Sequence, residues 1–281
     1  MFKRVMVAVV GLPLLILILG WAPAWATMLL LAAMCAIGAW ELMRAAAGER
    51  GKPLTPLTVI AAAAVPVCVY GEMSIENTEL TALPVLPFAA LLGAVFIFAI
   101  FALAIHRYDE EQGIPFAAVT CAVFAGLVFP LMLSCLLRLR LLGNLGPALV
   151  VMPLAISFGS DTFALFAGML CGKHKLTPVS PKKTVEGGVG GLIGGVFGMA
   201  VFKLIAEAAL GTALLDWTAV ALFGILGSVV GQIGDLSFSL IKREFGVKDY
   251  GSLLPGHGGI LDRFDSVTFV APFVWVLLRL Y

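Results

Sequence analysis

Residues 83–105 read LPVLPFAALLGAVFIFAIFALAI, a run without a single charged side chain. A helix rises about 1.5 Å per residue, so about 20 apolar residues carry it across the hydrocarbon core of a bilayer. Only a helix bonds all its own N–H and C=O groups where no water is available, and the run therefore predicts a membrane-spanning helix. The same signature recurs along the chain. Nine spans are expected, near 5–22, 26–46, 54–72, 83–105, 115–137, 147–171, 187–210, 217–242 and 263–280. Composition agrees: 61% of the 281 residues are hydrophobic and 12% charged, where soluble domains carry about 45–50% and about 25%. Mean hydropathy is +1.05. The fold class that follows is an all-α integral membrane protein of about nine transmembrane helices, forming one membrane domain over residues 1–281. Lys3 and Arg4, an apolar run and Ala24-Trp25-Ala26 also have the form of a signal peptide with its cleavage site. A retained first helix is the expectation.

Net charge is +1, which gives no attraction to nucleic acid. Cys35, Cys68, Cys121, Cys135 and Cys171 each lie in or at the end of an apolar run. None has CxxC spacing, so they read as small packing residues.

Basic residues choose the side of the membrane. Lys3, Arg4, Arg44, Arg50, Lys52, Arg107, Lys173, Lys175, Lys182, Lys183, Lys242, Arg243, Lys248 and Arg263 all fall at one set of span ends. The opposite ends hold Arg138, Arg140 and Arg279, with Glu72, Glu76 and Glu79 in an acidic loop. The N-terminus and the basic loops are therefore expected in the cytoplasm and the C-terminus outside, with Arg138 and Arg140 as a local violation.

Residues 1–146 read as scaffold. Glu41 stands out there, beside Trp40 and Arg44, and reads first as a snorkelling carboxylate paired with arginine, with a functional carboxylate as the second reading. His106 reads as interfacial. Residues 147–281 differ. Gly187, Gly191 and Gly195 repeat every four residues, as do Gly190, Gly194 and Gly198, and Gly224, Gly227, Gly231 and Gly234 form a second stripe. Small residues at that spacing let neighbouring helix backbones approach closely.

Polar groups gather at the cytoplasmic ends of these helices. Ser157 and Asp161 share one helical face, as do Asp235, Ser239 and Lys242, with Arg243 adjacent. A loop follows with Lys248, Asp249, Gly256, His257, Gly258 and Gly259, running into Asp262, Arg263 and Asp265. An ionisable residue inside a span is costly and marks function by default, although an ion pair with a nearby lysine or arginine also accounts for Asp161 or Asp235. Carboxylates beside a glycine-rich loop suit magnesium, a hard cation that arrives with phosphates. Lysine and arginine suit phosphate oxygens. Ser180-Pro181-Lys182-Lys183-Thr184 stands directly before a glycine-rich helix start, a ready anion site. The residues by themselves describe a magnesium–polyphosphate site at the membrane surface.

The segment Ser239-Leu240-Ile241-Lys242-Arg243, then Lys248-Asp249, then Pro255-Gly256-His257-Gly258-Gly259-Ile260-Leu261-Asp262-Arg263-Phe264-Asp265 resembles the signature of the phosphatidate cytidylyltransferase (CDP-diacylglycerol synthase) family. Asp161 and residues 180–187 resemble that family's second polar region. The resemblance implies CTP and phosphatidate as substrates, a bilayer setting in the bacterial inner (cell) membrane, an active site facing the cytoplasm and a homodimer. It also implies magnesium, alone or with a monovalent cation such as potassium, held by Asp235 and Asp262. Residue chemistry and resemblance together assign catalytic roles to Lys242, Arg243, Lys248, Asp249, His257, Arg263 and Asp265. Substrate contacts fall to Asp161, Ser180, Lys182, Lys183, Thr184, Ser239, Gly258 and Gly259. Rival readings are a polyprenol kinase, a cytidylyltransferase for another lipid phosphate, and an ion-coupled transporter. Against the last, no repeated half with matching broken helices is visible.

The orientation is open to a direct check. In a background with the native cysteines replaced, a cysteine at Ser180 should resist an impermeant thiol reagent in intact cells, and one at Asn77 should react. Labelling at position 180 from outside reverses the topology.

Overall fold

Residues this apolar have no economical form but the helix, and helices are what they form. The computed structural model describes residues 11, 13–76, 87–108, 113–253 and 258–281. In chain order the helices are α1 (Ala24–Ala46), α2 (Gly48–Glu76), α3 (Phe88–His106), α4 (Phe116–Arg140), α5 (Gly143–Cys171), α6 (Val185–Leu210), α7 (Trp217–Glu244) and α8 (Leu261–Leu280). Among the described residues the one extended pairing is a bridge between Lys175 and Thr184. Helix α4 carries a π-turn at Phe124–Val128.

Side chains and backbone fix the helix starts. Pro23, Pro87 and Pro115 stand at the N-caps of α1, α3 and α4, where the N–H that proline lacks is not needed. Thr184 caps α6 by accepting from Gly187 N at 3.1 Å, and Asp216 caps α7 by accepting from Ala219 N at 2.6 Å.

Seven of these helices, α1 to α7, are long and apolar enough to cross a bilayer. Nine spans were expected, and seven are found among the described residues. Helix α8 has the length, at 20 residues, but its first two turns carry Asp262, Arg263 and Asp265, which hydrocarbon does not accept. Residues 5–10 and 12 of the expected span 5–22 lie outside the described residues, and 13–20 are helical. The chain is an integral membrane protein.

Helix α6 is held between α5 and α7 by two different glycine stripes. A Cβ at Gly190 would strike Ala167, at Gly194 the Gly159 carbonyl, and at Gly198 the Ala155 carbonyl, all on α5. A Cβ at Gly195 would strike Ser228 and the Gly224 carbonyl on α7, where Ser228 Oγ also donates to Gly191 O at 3.0 Å. The two repeats thus serve two neighbours. Deeper in the molecule, Phe238 of α7 packs on Phe124 and Phe129 of α4, on Phe269 of α8 and on Tyr250, with ring centroids 6.0–6.4 Å apart. This cluster joins the two halves of the chain.

The arginines that break the charge pattern have internal partners. Arg138 pairs with Glu72 at 3.3 Å and lies over Trp275, while Arg140 Nη2 donates to Ala22 O at 2.9 Å and its buried Nε finds no partner among the described residues. Lys203 is buried in α6 and bonds Glu207 and the Leu215 carbonyl, with its ammonium over Trp217.

A methyl group at the α5–α6 contact has no room. Gly194→Ala should lower stability by about 1–3 kcal/mol, the usual penalty for overpacking, read as a lower melting temperature. Gly71→Ala is the control, since its Cβ would meet only Phe88 at 3.7 Å, and it should melt as the unsubstituted protein does. Equal melting of both variants would contradict the packing.

Candidate active site

The segment between α5 and α6 is a strap folded back on itself. Leu176 N donates to Lys183 O at 3.0 Å and Val185 N to His174 O at 2.9 Å. Lys183 N turns back to Ser180 O at 2.9 Å, and Lys175 Nζ bonds Pro181 O at 2.7 Å. Glu186, in the first turn of α6, accepts from Lys173 N at 3.1 Å and holds His174 Nδ1 at 2.6 Å. Lys182 and Lys183 are thereby fixed beside the N-terminus of α6. Thr184, expected to touch substrate, has its hydroxyl engaged as the helix cap.

Beneath the strap lies a cavity of about 430 Å³. Its lining mixes polar groups, among them Asp161, Asp235, Ser180, Lys182, Lys183 and Gln232, with the apolar Leu165, Met169 and Leu176. The Lys183 ammonium pairs with Asp235 Oδ2, and Ser239 Oγ donates to Asp235 Oδ1 at 3.3 Å. Asp161 of α5 and Asp265 of α8 both lie within electrostatic reach of Asp235. Ser266 Oγ sits between them, 3.4 Å from Asp161 Oδ2 and 3.5 Å from Asp265 Oδ1. Three carboxylates from three helices repel one another, so nearby cations offset their charge. Lys183, Lys242 and Arg263 supply that charge.

Asp262 faces another set of partners. Its Oδ1 accepts from Lys242 Nζ at 2.9 Å, and its Oδ2 from Tyr250 N at 2.9 Å and Gly259 N at 3.0 Å. A carboxylate has about four lone-pair sites, and three of these are in use. Tyr250 is buried, which pushes its phenol above the ordinary tyrosine range, and its hydroxyl donates to Phe238 O at 2.8 Å. Gly258 sits at φ 86°, a left-handed conformation that favours glycine, with its Cα against the Asp262 carboxylate.

Glu41 of α1 is fully buried and accepts from Ile260 N and Leu261 N, each at 3.1 Å. The expectation of a snorkelling pair with Arg44 is corrected: Arg44 lies over the Trp40 ring at 5.4 Å, and the carboxylate turns inward to amides that water does not reach. Arg243 Nε donates to Val179 O at 3.2 Å and so ties α7 to the strap. Lys248 and Asp249 are exposed on the loop. His257, with Pro255 and Gly256, lies outside the described residues, as does Asn77.

Among the described residues no three His, Cys, Asp or Glu side chains form a group that could hold a metal ion. Magnesium keeps most of its waters and takes one or two carboxylates plus substrate phosphates, and Asp161 and Asp235 are the carboxylates that line the cavity.

From residue 2 to residue 281 the sequence matches the cytidylyltransferase family. The chain belongs to that family. Among curated proteins it is 35% identical over 188 residues to the phosphatidate cytidylyltransferase of Bacillus subtilis (strain 168), covering 66% of this chain and 68% of that one. It is 51% identical over 120 residues to the protein of the same name from Staphylococcus saprophyticus, covering 42% of this chain and 44% of the relative. With that of Staphylococcus aureus (strain COL) the identity is 48% over the same length. The stretch aligned with the staphylococcal proteins is therefore under half of their length.

Three residues that contact these motifs stood outside the expected set. Glu41 was visible as a carboxylate in an apolar span, but nothing local names its partners. Gln232 lies one turn before Asp235 and donates to Gly188 O at 3.1 Å; an amide in a glycine-rich helix was the available signal. Ser266 was hidden beside Asp265.

The strap supports a substitution test. Replacing both Lys182 and Lys183 by Gln removes charge but keeps polar side chains. If they hold phosphate, the apparent KM for the anionic substrates should rise about 10–100-fold, the loss expected for a charge-assisted hydrogen bond. A folded double variant with unchanged KM for both substrates would return the lysines to a purely topological role.

Proposed function

We propose that the chain transfers the cytidylyl group of CTP to phosphatidate, giving CDP-diacylglycerol and pyrophosphate, at the strap-covered cavity. The observation that carries this reading is the cavity's mixed lining. Its lysines and carboxylates suit a triphosphate, and Leu165, Met169 and Leu176 among them suit a lipid. Family membership over residues 2–281 and the names of the relatives support the same chemistry.

The phosphate of phosphatidate is already an anionic oxygen nucleophile, so the site needs no strong general base. Its oxygen forms a bond to the α-phosphorus of CTP as the bond to the β-phosphate oxygen breaks, and pyrophosphate leaves. Lys182 and Lys183 gather phosphate oxygens, and Lys242 and Arg263 balance the negative charge of the carboxylate cluster. Asp235 is the carboxylate assigned to magnesium, with Asp161 and Asp265 beside it. Magnesium, when bound, offsets charge on the phosphates and the leaving group. Asp262, named as a second ligand by resemblance, also holds Lys242 and two loop amides, a positioning role that any ligation must share. Orientation of substrates and electrostatic preorganisation then supply most of the acceleration. CTP is cytosolic, and the basic strap favours a cytoplasm-facing site in the inner membrane. The homodimer and a monovalent cation rest on the family resemblance.

Purified protein given labelled CTP and phosphatidate should release pyrophosphate and form liponucleotide; release of CDP would make it a lipid kinase instead. Asp235→Asn should nearly abolish turnover while melting normally. Asp262→Asn should lose turnover and also melt lower, because it breaks bonds that hold the loop. Near-normal specific activity in both variants would remove the metal assignment.

A further inference from the structure

Glu41 is a carboxylate at this site that the transfer chemistry does not use. Its two oxygens take the backbone N–H groups of Ile260 and Leu261, each at 3.1 Å. Those amides open α8, whose first turn presents Asp262 and Arg263, with Asp265 at the start of the next turn. The first N–H groups of a helix have no partner within it, and a carboxylate placed there satisfies them and complements the helix dipole. Gly251 and Gly259 close around the same carboxylate from the two arms of the loop, and a Cβ at either position would overlap it. A side chain from α1 thus plugs the loop 219 residues further on in sequence.

We propose that Glu41 is a positioning residue for cytidylyl transfer: it sets the height and direction of the first turn of α8. With that turn fixed, Asp262 meets Lys242 and the Tyr250 amide, and Asp265 stands beside Ser266 and Asp161. The charge cluster would otherwise spread apart, since its carboxylates repel one another. Only the activity assay rests on the CTP–phosphatidate reading.

Two variants of the full chain in detergent test the idea. Glu41→Gln keeps size and one acceptor but turns an NH₂ toward the second amide. Gly251→Ala leaves Glu41 intact and pushes its carboxylate aside with a methyl group. Both should lower kcat by about tenfold or more, while the KM for phosphatidate changes less than about twofold, because the apolar side chains lining the cavity are untouched. Amide hydrogen exchange over residues 260–262 should accelerate about tenfold or more in each, with α2 unchanged. A merely structural Glu41 predicts lower melting temperature with kcat per folded molecule preserved, and that result would overturn the proposal. So would native-like exchange and kcat in Gly251→Ala, even if Glu41→Gln fails to fold. Absence of liponucleotide from the unsubstituted protein would refute the assigned reaction instead, and the exchange experiment would still decide the role of Glu41.

Discussion

Backbone contact between α5 and α6 is the constraint on which the site depends. Gly159 and Gly194 approach so closely that neither position admits a Cβ, and Gly190 and Gly198 extend the contact along the helix. In a bilayer, lipid tails are as apolar as leucine, so helices associate by close packing and hydrogen bonds rather than by escape from water. Asp161 lies two residues beyond Gly159 on α5. The tight approach therefore carries it directly to the strap and the N-terminus of α6. On the other face, Gly195 and Ser228 bring α7 in, and with it Gln232, Asp235 and Ser239. Bulkier residues at either contact would separate the walls of the cavity.

Once the helices are this close, electrostatics governs the rest. Asp161, Asp235 and Asp265 converge from three helices, and their mutual repulsion is offset by nearby cations. Lys183 comes from the strap, Lys242 from α7 and Arg263 from α8. The strap's hydrogen bonds, from Leu176 to Lys183 and from Glu186 back to Lys173 and His174, hold the lysine where that charge is needed. An array of fixed cations and carboxylates among apolar side chains is suited to joining a polyphosphate to a lipid phosphate.

The N-terminal half takes part in this arrangement. Phe124 and Phe129 pack on Phe238, whose carbonyl receives the Tyr250 hydroxyl, and Tyr250 N bonds Asp262. Glu41 adds a direct polar link from α1 to the start of α8. The loop glycines that read as ligand-wrapping positions serve internal carboxylates at two points: Gly258 lies against Asp262, and Gly259 against Glu41.

The sequence by itself determined the membrane helices, because apolar length is a local property and a bilayer leaves the backbone no alternative. It also determined the glycine stripes and the polar motifs, each carried by residues within a turn or two of one another, whereas the Thr184 and Asp216 helix caps emerged only with the fold. The tertiary structure decided the partners. That Asp235 takes Lys183 while Asp262 takes Lys242 and two loop amides, that Arg138 is satisfied by Glu72, and that Glu41 turns from Arg44 to α8 could not be read from spacing. Buried charges select whichever donors folding brings within about 3 Å, and those donors lie on helices far apart in the chain.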